Sequence, residues 1–216
     1  IAKEKGLEPL AQRVYEKQNE IDLHEESKNY INEEHELHTI DDVLAGTKDI
    51  IAEWIADEPT YREKIRTVTY NKGTIQSSVK DKEEDEKKVY EMYYEFSEAV
   101  RNIVSHRILA LNRGEKEGLL KVAVNPPIDE ITAYLRKEIM VSNVNSEVEV
   151  FLNEVIEDSY KRLIQPSVER EIRNALSEKA EEQAIDVFSK NLQSLLLQPP
   201  LKGRYVLGVD PAFRTG

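Results

Sequence analysis

The 216-residue sequence contains no cysteine, which excludes disulfide bonds, thiolate metal sites and a cysteine nucleophile. It has only 8 glycines and 8 prolines, too few for the frequent tight turns of an all-β sandwich. No apolar run approaches the roughly 18 residues that a membrane-spanning helix needs. These absences indicate a helical globular protein without a membrane segment, and we expect it to be cytoplasmic.

Basic residues are fewer than acidic ones: the sequence has 30 Lys and Arg and 42 Asp and Glu, which gives a formal net charge of -12. Attraction to nucleic acid or to anionic lipid requires clustered Lys and Arg, because counterion release drives it. We therefore expect any nucleic-acid contact to be local. Hydrophobic residues make up 39% of the chain, which is enough to bury a core.

Apolar residues at helical spacing predict most of the chain to be helical. Thr39 and Asp42 resemble a capping box at one helix start, and Ser146 with Glu149 resembles another. Pro166 suits a helix start, and no glycine or proline follows before Leu197, so we predict one helix of roughly 45 Å there. The other predicted helices span residues 7–19, 25–34, 40–55, 61–70, 89–104, 105–113 and 128–139.

Two segments have the alternating β-branched pattern of strands, residues 74–80 and residues 119–124. We predict that they pair. The charged run of residues 80–88 is mixed in sign, and we interpret it as a solvated helix start. The predicted fold class is mainly α, a multi-helix scaffold with a small two-stranded β element and a long C-terminal helix.

The last residues change character. A proline-led linker at residues 199–203 precedes an apolar β-type run that ends at Asp210. A lone strand is not stable. Because Ile1 rather than Met opens the sequence, we expect the chain to be processed or to be a piece of a longer protein whose second domain begins here.

His106, Arg107 and Arg113 are the best candidates for a local basic site. An arginine can bind a phosphate with two parallel hydrogen bonds, which favours a phosphate or partner contact. The alternative is structural: Ser105 caps the helix, and Arg113 contacts the carbonyls at its end. The nearby Glu115 and Glu117 oppose a nucleic-acid backbone.

No nucleophile elbow, phosphate-binding loop or HExxH zinc motif occurs, so we predict no enzyme, no cofactor and no metal site. The histidines at 24, 35 and 38 are interpreted as surface residues. The tyrosines at 90, 93 and 94 are predicted to pack in the core rather than to stack on bases, since no basic groove is visible around them.

Three stretches resemble the Tex family of bacterial transcription accessory proteins, which are Spt6-like. They are IAKEKGLEPLA at residues 1–11, SHRILALNRGEKEG at residues 105–118 and LGVDPAFRTG at residues 207–216. DDVLAGTKDIIAEWIA at residues 41–56 is also similar, so the resemblance covers nearly the whole chain.

The resemblance implies a Tex-like N-terminal helical region with a helix-turn-helix at residues 1–198, the linker, and the start of a truncated ribonuclease-H-like (YqgF) domain at residues 204–216. It implies a cytoplasmic transcription accessory protein. The full-length protein would bind nucleic acid through an S1 domain and other parts, and it would contact transcription machinery proteins. In ribonuclease-H-like folds a carboxylate at the position of Asp210 binds metal. One carboxylate does not make a two-metal site, and Asp210-Pro211 can equally shape a turn.

Three functions therefore stay open. The first is a helical scaffold and interaction module whose protein binds nucleic acid mainly through other domains. The second is a nucleic-acid-binding helix-turn-helix module in its own right. The third is the N-terminal part of a metal-dependent nuclease. The net charge favours the first.

Overall fold

The computed structural model describes residues 2–80, 85, 88–199 and 202–209. Over these residues, the structure consists of helices and a small antiparallel sheet, and the predicted mainly α class with a long C-terminal helix is confirmed. The helices are α1 (Glu8–Glu16), α2 (Leu23–Lys28), α3 (Ile40–Asp57), α4 (Pro59–Lys72), α5 (Ser105–Lys116), α6 (Ile128–Ile139), α7 (Ser146–Asp158) and α8 (Gln165–Leu196). The strands are β1 (Thr74–Val79), β2 (Glu95–Ala99) and β3 (Leu120–Asn125). Short 3-10 turns occupy Glu33–His35 and Glu91–Tyr93, and a π-helical segment occupies Ser159–Ile164.

Helix α3 starts at the predicted capping box. The Thr39 hydroxyl accepts a hydrogen bond from the Asp42 N–H, and the Asp42 carboxylate accepts one from the Thr39 N–H. The hydrogen bond from the Thr39 hydroxyl is the main cause that lowers the pKa of Asp42. The helix predicted at residues 25–34 is shorter, because the chain leaves α2 after Lys28 and then makes the 3-10 turn.

A buried glutamine ties the chain after α1 to the chain after α6. The Gln18 side chain is 1% exposed, and its amide donates to the Tyr15 and Ile139 carbonyls over 3.0 and 2.8 Å. Its carbonyl oxygen accepts a hydrogen bond from the Val141 N–H. One side chain therefore satisfies polar groups from segments more than a hundred residues apart.

Gly73 ends α4 and lets β1 begin at once. Its N–H donates to the Thr69 carbonyl over 2.8 Å, and a Cβ at Gly73 would lie 2.4 Å from that oxygen. A side chain does not fit there. The helix predicted at residues 61–70 thus spans Pro59–Lys72 and is followed at once by β1.

The sheet order is β2-β1-β3, and both neighbouring pairs are antiparallel. The predicted pairing of residues 74–80 with residues 119–124 is confirmed, since β1 pairs with β3 and Ser77 lies opposite Val122. The helix predicted at residues 89–104 was wrong, since Phe96 there lies opposite Ser77 in a third strand. An aromatic residue such as Phe96 fits a strand as well as a helix, and hydrogen bonding to β1 decides between the two structures.

Helices α7 and α8 are joined by the π segment into one rod from Ser146 to Leu196, about 75 Å long. Asn145 caps it by accepting a hydrogen bond from the Glu147 N–H, so the predicted cap by Ser146 was wrong by one residue. Pro166 lies in the first turn of α8, as predicted for a proline at a helix start. The Gln165 N–H bonds to the Tyr160 carbonyl of the π segment, so α8 continues the rod without a break. The wider turn carries the rod past a proline that would otherwise break it.

Candidate interaction surface

Helix α5 packs against the first half of α8. Ile108 and Leu111 of α5 are buried, as are Leu176 and Ala180 of α8. The guanidinium of Arg173 holds the Glu115 carboxylate with two hydrogen bonds along the same seam. The seam fixes α8 firmly up to Ala180.

The start of α5 is tied to α8 by the side chain of Ser105. The hydroxyl of Ser105 donates to the Gln183 side-chain oxygen over 2.5 Å. The predicted capping role of Ser105 was therefore wrong: Val104 is the N-cap residue and has no side chain that can cap. The first turn of α5 also carries no acidic residue.

Beyond Ala180 the rod leaves the body of the protein. Residues 181–196 are all exposed, and we call them the free half of α8; they extend about 24 Å. Apolar side chains there face solvent, with exposed fractions of 51% for Val187, 66% for Phe188 and 73% for Leu196. The buried stripe of Leu176 and Ala180 thus continues along α8 with no covering element among the described residues.

A groove lies between α5 and α8 at this point. We call it the α5–α8 groove, and its volume is about 790 Å³. The loop of residues 100–104 and the start of α5 form one wall, α8 from Leu176 to Asn191 forms the other, and Tyr70 of α4 contributes at the edge. The apolar lining consists of Val100, Ile103, Val104, Ile108, Leu109, Leu176, Ala180, Ala184, Val187 and Phe188.

The charged residues of the groove are all basic. Arg101 and Lys179 line it together with His106, and among the described residues no Asp or Glu does. None of the nearby acids of α8 lines the groove; they are Glu178, Glu181, Glu182 and Asp186. At about 100° per residue, Glu178 and Glu182 lie away from it, whereas Glu181 and Asp186 lie beside the lining residues Phe188 and Lys179. In a chain of net charge -12, this groove is a local positive site.

The three predicted basic residues have different surroundings. His106 is exposed and lines the α5–α8 groove. The guanidinium of Arg107 lies 2.5 Å from the Glu98 carboxylate and 5.8 Å from the centre of the Phe96 ring. Arg107 is thus engaged by the strand next to it.

Arg113 lies two turns further along α5, beside a smaller cleft that Asn112, Lys116 and Glu117 complete. It is exposed, and no hydrogen bond or ion pair of its side chain occurs within the part of the chain that the structure describes. The contact with terminal carbonyls that the structural alternative proposed for Arg113 is therefore absent there. Asp210 lies outside the described residues.

Sequence reasoning missed Arg101, Lys179 and Phe188. The signal for Phe188 was present, because apolar residues four or three apart continue through Leu176, Ala180, Ala184 and Val187. Arg101 lies in a segment predicted to be helical, and only its turn after β2 brings it to the groove.

The charged run before β2 contains a buried carboxylate. Asp85 is 5% exposed and accepts hydrogen bonds from the Val89 and Tyr90 N–H groups and from the Tyr94 hydroxyl. Burial alone would raise the pKa of Asp85, but these hydrogen bonds outweigh it and the pKa is lowered. Asp85 therefore departs from the solvated interpretation of the run; residues 81–84, 86 and 87 lie outside the described residues.

The tyrosines of this region pack in the core, as predicted. Tyr90 is 4% exposed, and Tyr93 and Tyr94 pack against the same cluster. Burial, together with a hydrogen bond to Glu117, raises the pKa of Tyr90 to about 12. Tyr90 therefore stays a neutral hydrogen-bond donor at physiological pH.

The described residues form neither a metal site nor a membrane-spanning helix. They contain no group of three His, Asp or Glu side chains placed to hold a metal ion. Among them, too, no helix is both long and apolar enough to cross a membrane.

Comparison with known proteins gives the family. The family description Tex central region-like matches residues 18–188. Uncharacterized protein YdcI of Bacillus subtilis is 57% identical over 217 residues, which cover 100% of this chain and 30% of that protein. S1 RNA-binding domain-containing protein 1 of Homo sapiens is 35% identical over 100% of this chain and 22% of its own length. Transcriptional accessory protein Tex of Neisseria gonorrhoeae is 31% identical, with 100% and 29% covered.

The chain belongs to the Tex family, in whose central helical region most of it falls. It spans between 22% and 30% of the length of these three relatives.

Proposed function

We propose that this chain is a helical scaffold and interaction module of a Tex-like transcription accessory protein, located in the cytoplasm and without enzymatic activity of its own. The free half of α8 carries this proposal. It extends from a rigid body and exposes Val187, Phe188 and Leu196. Soluble proteins rarely expose a contiguous apolar patch unless another surface covers it in the working state.

The position at which α8 is held supports the scaffold function. The seam with α5 and the π segment fix its first half, so the direction of the second half is set by a packed core. A rod of this kind places whatever binds it at a defined distance from the body. We propose that further parts of the full-length protein pack on it, with transcription machinery proteins as additional partners.

Nucleic acid is proposed to bind mainly through other domains. The net charge of -12 opposes a phosphate backbone over most of this chain. The human relative is named for an S1 RNA-binding domain, and this chain covers only 22% of that relative. His106 and Arg113 are exposed and stay proposed contacts to a partner, whereas we assign Arg107 to the fold because Glu98 and Phe96 engage it.

We also propose that a second domain begins near residue 204. The described residues 202–209 belong to no helix or strand, and Tyr205 and Leu207 are almost fully exposed. A segment with this β-type sequence gains stability only when it pairs with further strands.

Cysteine labelling tests the scaffold function directly, since the chain has no cysteine of its own. Ile185→Cys, Leu192→Cys and, as a control, Lys137→Cys on the exposed face of α6 are labelled with a maleimide in this chain. The same variants are then labelled in a full-length chimera, in which the chain replaces the matching region of a cysteine-free Bacillus subtilis relative. We expect the two α8 sites to react at least about tenfold more slowly in the chimera. Equal rates at both sites would contradict a scaffold role for the free half.

A mobility-shift titration separates the scaffold from the helix-turn-helix alternative. At physiological salt the 216-residue chain is expected to shift neither RNA nor DNA below micromolar protein, because non-specific binding is chiefly electrostatic. Tight, salt-sensitive binding of this chain would favour a nucleic-acid-binding module instead.

A further inference from the structure

We propose that the α5–α8 groove binds an acidic amphipathic helix, one that presents leucine-sized apolar side chains on one face and carboxylates along its flanks. This inference rests on the proposed interaction role and names the chemistry of the partner. It concerns the groove side of α8, which is distinct from the side that carries Ile185 and Leu192.

The shape of the groove suits a helix. Its α8 wall runs from Leu176 to Asn191, about 22 Å, which is the length of four helical turns. The floor is aliphatic, and Val104 and Val187 remain 43% and 51% exposed at its rim. An apolar stripe with residues three and four apart can pack into such a groove, as amphipathic helices do in other proteins.

The apolar stripe of α8 that packs against α5 continues into the groove without interruption. Leu176 and Ala180 are buried against α5, and Ala184 and Val187 continue the same stripe beyond the first residue of α5. A partner helix that lies beside the start of α5 would therefore extend an existing helix–helix contact rather than create a separate one.

The charge of the groove selects an acidic partner. Arg101 and Lys179 line opposite walls, His106 lies near them, and no described Asp or Glu is in the lining. The start of α5 adds the partial positive charge of a helix N-terminus that no side chain caps. Carboxylates on both flanks of an incoming helix would meet these groups, whereas lysines would be repelled.

Single-stranded nucleic acid fits the same lining less well. Only Arg101 and Lys179 carry a permanent positive charge there, so few counterions would be released. Stacking surfaces are limited to Tyr70 and Phe188, and the aliphatic floor offers bases no hydrogen bonds. The aliphatic majority of the lining favours side chains such as leucine.

The test uses three fluorescein-labelled probes and the 216-residue chain, read by fluorescence anisotropy. The first is an 18-residue peptide with leucines three and four apart and glutamates on both flanks. The second has the same composition in scrambled order, and the third is a 20-nucleotide oligouridine. We expect the amphipathic peptide to bind at least about tenfold more tightly than the scrambled one, and more weakly as salt rises.

Two variants and a matched control locate the binding. Arg101→Glu with Lys179→Glu is expected to weaken the amphipathic peptide roughly tenfold or more, since two attractions become repulsions. Val187→Ser with Phe188→Ser should weaken it as well, and both residues are exposed, so the fold is kept. Lys121→Glu with Lys137→Glu makes the same change in net charge outside the groove and should alter the affinity less than about twofold.

Several results would overturn the proposal: equal binding of the scrambled peptide, equal weakening by the control pair, or no peptide binding at all. Oligouridine binding that exceeds peptide binding and is lost in Arg101→Glu with Lys179→Glu would assign the groove to nucleic acid. If the peptide fails while Ile185→Cys is protected in the chimera, the scaffold function stands and only the acidic-helix partner is refuted.

Discussion

Replacing Arg107 by alanine tests whether this predicted site residue belongs to the fold or to a binding surface. Its guanidinium contacts the Glu98 carboxylate on β2 and lies over the Phe96 ring. The side chain is 38% exposed, so it is neither fully buried nor free in solvent. Arg107→Ala removes both contacts and leaves the helix backbone of α5 intact.

The expected loss of stability follows from two terms. A partly exposed ion pair contributes about 0.2–1 kcal/mol, and a cation–π contact at such a site contributes about 0.5–1 kcal/mol. We therefore expect the free energy of unfolding to fall by about 1–2 kcal/mol. For a domain of this size, each kcal/mol lowers the melting temperature by roughly 2–4 °C.

Urea unfolding of Arg107→Ala, Glu98→Ala and the double variant forms a double-mutant cycle. A coupling energy of about 0.5 kcal/mol or more, reduced in high salt, is the expected result. His106→Ala and Arg113→Ala serve as matched controls on the same helix. Both residues are exposed, so each should change stability by less than about 0.5 kcal/mol.

The reasoning would be refuted by the reverse pattern. If Arg107→Ala leaves unfolding unchanged and lowers the affinity for a partner, Arg107 is a contact residue and its ion pair is incidental. If Arg113→Ala costs more than about 1 kcal/mol, Arg113 has a structural role that its exposed position does not predict.

Three further outcomes are expected. Gln18→Ala should lower the free energy of unfolding by about 2–4 kcal/mol in urea, because the buried carbonyl of Ile139 and the partly buried Tyr15 carbonyl and Val141 N–H lose their partner. The lowered pKa of Asp85 means that its ionised form favours the folded state above about pH 4 and that this contribution is lost as pH falls. The difference in melting temperature between the protein and Asp85→Asn should thus shrink from about pH 5 downward. Deleting residues 202–216 should leave the circular dichroism and the cooperative melt nearly unchanged, because the described part of that segment is exposed.

Local signals in the sequence were sufficient for several elements. The capping box of Thr39 and Asp42 involves residues three apart, and its geometry does not depend on the rest of the chain. The alternation in residues 74–80 and 119–124 likewise identified two strands that do pair. Each of these predictions depended on an interaction contained within one segment, or on two segments with the same strong pattern.

The third strand and the junction at Pro166 depend on distant partners. Residues 95–99 form a strand because they pair with the edge of β1. Nothing in the sequence of residues 95–99 indicates that this edge is available. The rod continues past Pro166 because a wider turn precedes the proline, and the Ser159 hydroxyl in that turn donates to the Ala52 carbonyl of α3. A proline therefore limits a helix only when its surroundings do not compensate for the lost hydrogen bond.

The α5–α8 groove depends both on a local sequence pattern and on contacts between distant segments. The apolar stripe of α8 is visible in the sequence, but only the fold shows that the start of α5 lies beside Gln183 and leaves the rest of the stripe uncovered. The basic lining comes from a loop after β2 and from α8, segments that are far apart along the chain. Its positive charge is therefore hidden in a composition that is acidic overall.

The free half of α8 has few sources of stability within this chain. A helix of 16 residues with no buried face is marginal in water, because most helical stability in proteins comes from a buried face. Its apolar residues do not stabilise the helix while they face solvent. The free half stays helical because it continues directly from the packed turns before Ala180. A partner that covers Val187 and Phe188 would bury apolar surface on a helix whose direction is already fixed. Little ordering of α8 would then oppose binding, which is the physical advantage of presenting an interaction surface on a rod.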